Sequence, residues 1–145
     1  MNTKAIILNA AFLAMAVGAW PHEHHAPHGG CLVEVGEEFA HVELLLEADT
    51  ATLKAYVLDG EAENSVRITQ RTLRLRLVDG GLLVLRAHAD PLTGESPGNS
   101  SEFSLHSAKL LGRRRLVGVV ERLVIRGGRF KDLPFSYMPD SNARP

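Results

Sequence analysis

The chain has 145 residues, of which 45% are hydrophobic and 23% charged, so it can form one globular domain and is not collagen-like, coiled-coil or wholly disordered. Sixteen basic and seventeen acidic residues give a net charge of −1, so the composition does not favour nucleic-acid binding. A single cysteine excludes an internal disulfide, whereas seven histidines are many for a chain of this size.

The first nineteen residues have the pattern of a secretory signal. Lys4 provides a positive start, residues 5–20 are apolar except for Asn9, and Val17-Gly18-Ala19 fits the small-residue pattern of a cleavage site. This run is shorter than the ~20 residues that a membrane span needs. We therefore predict a signal peptide at residues 1–19, cleavage before Trp20, and a periplasmic or secreted protein. The alternative is an uncleaved N-terminal anchor, which would be the protein's attachment to the membrane.

Residues 20–30, WPHEHHAPHGG, differ in composition from the rest of the chain. Two prolines and two glycines prevent this segment from forming a core, so we predict a flexible arm. Four imidazoles within seven residues are a candidate site for a Cu, Zn or Ni ion, because these metals prefer nitrogen and sulfur ligands. The candidate ligands are His22, His24, His25 and His28, followed by Cys31. The alternative is a solvated arm that binds metal only incidentally.

Alternating apolar and polar residues predict an all-β domain over residues 31–138. In residues 72–78, for example, three leucines alternate with two arginines, and Asp79-Gly80-Gly81 then predicts a hairpin. We expect eight or nine short strands, one helical turn over residues 107–112 and a frayed tail at 139–145. The predicted fold is an antiparallel β-sandwich, immunoglobulin-like, or a small barrel. The predicted strands cover residues 31–35, 39–48, 51–59, 65–68, 72–78, 82–88, 101–106, 115–126 and 129–137.

His41 and Glu43 lie two residues apart in the second predicted strand, so they share a face about 7 Å apart. They are a second candidate for metal binding, or a carboxylate that orients an imidazole. The alternative is a solvated polar pair. Glu34 is expected nearby on the preceding strand. Cys31 has three interpretations: a metal ligand, the site of an intermolecular disulfide, or a small apolar residue at the start of a strand.

The chain contains no nucleophile elbow, zinc-protease motif or phosphate-binding loop, so we predict a protein without enzymatic activity and without an organic cofactor.

The stretches Pro27-His28-Gly29-Gly30, residues 32–36 (LVEVG), His41-Val42-Glu43 and residues 55–60 (AYVLDG) resemble a largely uncharacterised group of small exported β-sandwich proteins of Gram-negative bacteria. The resemblance extends over most of residues 27–137. Because some members accompany heavy-metal efflux systems, it implies an exported β domain with a link to metal traffic.

Two functional hypotheses follow from these features. The first is an exported protein that binds a transition metal through its histidine-rich arm, for buffering or for delivery to an efflux protein of the cell envelope. The second is an envelope protein–protein interaction module, in which the histidine-rich segment is an incidental spacer and an exposed edge strand recruits the partner.

Overall fold

The computed structural model of the protein describes residues 24–138. The predicted signal peptide, His22 and the predicted tail at 139–145 lie outside these residues. Eight strands and one short 3₁₀ helix account for the regular structure. The strands are β1 (Cys31–Val35), β2 (Ala40–Glu47), β3 (Thr52–Leu58), β4 (Thr72–Leu77), β5 (Leu82–Ala87), β6 (Glu102–His106), β7 (Leu116–Ile125) and β8 (Gly128–Tyr137).

All eight strands belong to one antiparallel sheet in the order β1-β2-β3-β6-β5-β4-β7-β8. The sheet curls until its two edge strands meet: the thiol of Cys31 in β1 donates to the backbone carbonyl of Ser136 in β8, at 3.5 Å. The result is a nearly closed, barrel-like sheet, which confirms the all-β prediction. The strands form one sheet rather than two facing sheets, so the structure corresponds to the small barrel of the two predicted architectures.

The predicted alternation places the apolar side chains inside this sheet. Leu73, Leu75 and Leu77 of β4 are buried, whereas Arg74 and Arg76 between them are exposed. The same rule holds in β2, where Val42, Leu44 and Leu46 point into the core. Positions that alternate with these residues therefore lie on the outer face of the sheet, and the candidate site is built there.

Residues 65–68, predicted as a strand, make only two isolated bridges, Leu58 to Ser65 and Ile68 to Ser100. A longer strand cannot pair here, because β6 already pairs with Thr52 to Tyr56 and leaves only the end of β3 beyond Tyr56 available. The predicted helical turn is present as a 3₁₀ helix, Ala108–Leu110. Among residues 24–138 there is no helix with the length and hydropathy to cross a membrane.

Candidate functional site

Two polar side chains on the outer face of β2 are buried. His41 lies opposite Glu34 of β1 and Leu58 of β3, and Glu43 lies opposite Leu32 and Tyr56. By alternation both point away from the core, yet His41 is only 4% exposed and Glu43 is fully buried. The cover is the segment that precedes β1, residues 24–30, which contacts both side chains.

Glu43 holds this segment through its carboxylate. One oxygen, Oε1, accepts hydrogen bonds from the backbone N–H groups of His28 and Gly30, at 2.9 and 2.8 Å. The other, Oε2, lies 2.7 Å from Nδ1 of His28. An ionised carboxylate only accepts hydrogen bonds, so an interaction with it requires the tautomer of His28 that is protonated at Nδ1. Three partners compensate for the burial of the carboxylate, which would otherwise be strongly unfavourable.

Tyr56 and Gly30 shape the same contact. The rings of His28 and Tyr56 stack in parallel, with centroids 3.7 Å apart and an interplanar angle of 10°. Gly30 passes so close to β2 that a Cβ atom there would overlap the carbonyl oxygen of Leu44 and lie 3.0 Å from Cγ of Glu43. The motif Pro27-His28-Gly29-Gly30 therefore has a structural role: it attaches the histidine-rich segment to the sheet.

His24 lies against His41, with ring centroids 4.9 Å apart and planes inclined at 55°. Nδ1 of His41 lies 3.2 Å from the carbonyl oxygen of Asp59, an acceptor, so Nδ1 donates, and in the neutral form of the imidazole Nε2 carries the lone pair. Nε2 of His24 is buried and has no hydrogen-bond partner in residues 24–138. The nearest carboxylate oxygen, Oε1 of Glu38, is 3.6 Å from it, which is beyond hydrogen-bond length.

The structure separates the other proposed metal ligands. His25 is exposed, and the Nδ1 atom of His28 is occupied by Glu43. Cys31 faces β8 at the seam of the sheet, where burial raises the pKa of its thiol and the Ser136 carbonyl has a weaker, opposite effect. Within the described part of the chain, no three His, Cys, Asp or Glu side chains are close enough together to hold a metal ion. The described candidates therefore converge as one pair, His24 and His41.

Two expectations about these residues differ in detail from the structure. Glu43 does orient an imidazole, but the imidazole belongs to His28 rather than to His41. Residues 28–30, expected to be part of a flexible arm, are hydrogen-bonded to the sheet, because a buried carboxylate needs donors and this segment supplies them. The proximity of Glu34 to His41 across the first hairpin is confirmed by their register.

Three residues of this site were not predicted from the sequence: Glu38, Tyr56 and Asp59. The alternation in β3 places Tyr56 on the outer face, which was a usable signal, but the register that brings it opposite Glu43 was not available from the pattern. Comparison of the chain with protein-family models, curated proteins and solved structures found no match.

Proposed function

We propose that this protein is an exported, non-enzymatic binder of a transition-metal ion, with His24 and His41 as its first two ligands. The observation that carries the proposal is the Nε2 atom of His24, which is buried and unpartnered within residues 24–138 and lies beside the His41 ring. A buried nitrogen without a partner is costly, and a metal ion would satisfy it. Imidazole nitrogen is a preferred ligand of Zn, Cu and Ni.

Other side chains that can bind a metal lie close to these two imidazoles in space or in sequence. The carboxylate of Glu38 is 3.6 Å from Nε2 of His24, so we propose it as a third ligand that would move toward the ion. His22 precedes His24 by two residues and His25 follows it directly. The carbonyl oxygen of Asp59 accepts a hydrogen bond from Nδ1 of His41 and so fixes the orientation of its ring, as hydrogen-bond partners of metal-binding histidines do in other proteins.

The proposed role is buffering of the metal, or its delivery to an efflux protein of the envelope. Attachment of residues 24–30 to the sheet favours this hypothesis over an incidental spacer, because it presents His24 to a histidine of the folded domain. The alternative of an interaction module that recruits a strand has less support, since the edge strands β1 and β8 lie against each other.

The test is a calorimetric titration of the chain from Trp20 with Zn(II), Cu(II), Ni(II) and, without oxygen, Cu(I). We expect sub-micromolar binding, or about −8 kcal/mol, of at least one ion. His24→Ala and His41→Ala should each weaken it at least tenfold, whereas His88→Ala and His106→Ala, which change exposed histidines on other strands or loops, should not. Because only neutral imidazole binds a metal, the affinity should fall when the pH is lowered to 5.

Equal affinity in all four variants would overturn the assignment of His24 and His41. Weak binding that no single variant changes would mean that the histidines bind metal only incidentally. A thermal melt of each variant shows whether a loss of affinity reflects a loss of folded protein.

A further inference from the structure

Charge is unevenly distributed along this chain and around its sheet. Residues 24–66, which include β1 to β3, carry nine acidic side chains and one basic one, Lys54. Residues 67–138 carry thirteen basic side chains and six acidic ones. Six of these basic side chains and two of the acidic ones lie on β5, β4, β7 and β8, which are neighbours in the sheet, so this side of it carries an excess of positive charge. This side has no part in the histidine site.

A cavity of about 400 Å³ opens on the positive side, where the start of β4 runs beside the far half of β7. It is lined by Thr69, Gln70, Arg71, Thr72, Arg122 and Val124, and so by two guanidinium groups and no carboxylate. The side chain of Gln70 is occupied, because its Oε1 accepts from the Val124 N–H at 2.6 Å and its Nε2 donates to the Arg122 carbonyl at 3.2 Å. Apart from Gln70, the polar groups of the lining side chains are therefore the guanidinium N–H groups of the two arginines and the hydroxyls of the two threonines, all of which can donate hydrogen bonds.

Three more cations lie on the paired strands, directly across from residues that line this cavity. Arg86 lies opposite Thr72, Lys131 opposite Arg122, and Arg129 opposite Val124. The neighbouring carboxylate of Glu121 does not offset them, because Arg74 and Arg76 bind it at 2.9 and 3.4 Å. Among residues 24–138, no ion pair involves Arg71, Arg122 or these three cations. Like charges at neighbouring positions of a sheet repel one another, and a bound anion would relieve that repulsion.

We propose that this cavity binds an oxyanion of the phosphate type through Arg71 and Arg122, with the hydroxyls of Thr69 and Thr72 as additional donors. A planar guanidinium group matches two oxygens of a phosphate, and the pair of arginines can neutralise its charge. The surrounding cations strengthen the local positive potential and make binding dependent on ionic strength. The shared chemistry is a phosphate group, supplied either as a free anion or as the headgroup of an anionic phospholipid.

The experiment measures binding of inorganic phosphate by calorimetry at low ionic strength, and co-sedimentation with vesicles of phosphatidylglycerol or of phosphatidylcholine. The test variant is Arg71→Gln/Arg122→Gln. The control is Arg114→Gln, which removes an exposed charge before the opposite end of β7. Circular dichroism and a thermal melt establish that each variant is folded.

We expect the double variant to lower phosphate affinity at least tenfold and the control to leave it within about twofold. Phosphate binding without vesicle capture supports a soluble anion, whereas selective capture by phosphatidylglycerol that the double variant abolishes supports a lipid headgroup. No binding in either assay, or an equal loss in the Arg114 variant, would overturn the proposal. Neither result bears on the histidine site, so the two proposals can fail separately.

Discussion

The Nδ1 atom of His28 lies 2.7 Å from Oε2 of Glu43, a carboxylate with no solvent exposure on the outer face of a curled sheet. Outer faces are normally hydrated, so a buried carboxylate there depends on the segment that covers it. The dependence is mutual, because the segment is held by the same three hydrogen bonds. We therefore expect Glu43 to be buried only when residues 24–30 are attached to the sheet.

Removal of the Glu43 carboxylate should release this segment. In Glu43→Ala, the N–H groups of His28 and Gly30 lose their acceptor, and we expect the free energy of unfolding to fall by about 2–4 kcal/mol. Urea denaturation gives the loss, and hydrogen exchange should show reduced protection of the two amides. The matched control is Glu37→Ala, at an exposed glutamate in the loop between β1 and β2. Unchanged protection of both amides would contradict the role assigned to Glu43.

The two glycines of the attachment motif should respond differently to alanine. A Cβ at Gly30 would overlap the carbonyl oxygen of Leu44, so Gly30→Ala should displace the segment from β2 and weaken protection of the His28 amide. A Cβ at Gly29 meets nothing within 4 Å, although its φ of +79° makes alanine unfavourable there by about 1 kcal/mol. Gly29→Ala should thus lower stability slightly while the segment stays attached. Equal hydrogen-exchange profiles in the two variants would argue against close packing at Gly30.

The thiol of Cys31 should react slowly in the folded protein. Burial raises its pKa, so at pH 7.5 a smaller fraction is thiolate than in a free cysteine, and the neighbouring β8 restricts access. We expect alkylation by iodoacetamide at least about fivefold slower than in the urea-unfolded chain. Mass spectrometry of timed samples measures both rates. Equal rates would mean that the seam between β1 and β8 is open in solution.

Gln70 should contribute to stability through the backbone of β7. The pairing of β4 with β7 covers Leu75 to Leu77, and the Gln70 side chain extends the contact by bonding to Arg122 and Val124 beyond it. Gln70→Ala removes the acceptor of the partly buried Val124 N–H and the donor to the Arg122 carbonyl, and should cost about 1–3 kcal/mol. Thermal melts give the loss, and hydrogen exchange locates it at the Val124 amide. The control is Thr69→Ala, at the exposed residue that precedes Gln70. It should leave the free energy of unfolding nearly unchanged.

The alternation of side chains was enough to predict the strands and to place His41 and Glu43 on a common face. Local pattern reveals which residues of a strand share a side, because that depends only on the two-residue repeat. It also located the hairpin between β4 and β5, where Gly80 adopts a φ of +87°. Residues 65–68 show the limit: a short stretch that alternates polar and β-branched residues forms a strand only if a neighbouring edge is free, and β6 already pairs with β3 from Thr52 to Tyr56.

By itself, the sequence determined the class of fold, the approximate strand boundaries, the facing of side chains and the wealth of imidazole near the start of the domain. Only the tertiary structure decided which imidazole meets which partner. Glu43 binds His28, fifteen residues away, and His41 meets His24, seventeen residues away, because residues 24–30 cross the outer face of β2 before the chain enters β1. Such pairings depend on strand order, register and the path of a covering segment, which are long-range contacts that leave no periodic trace in the sequence.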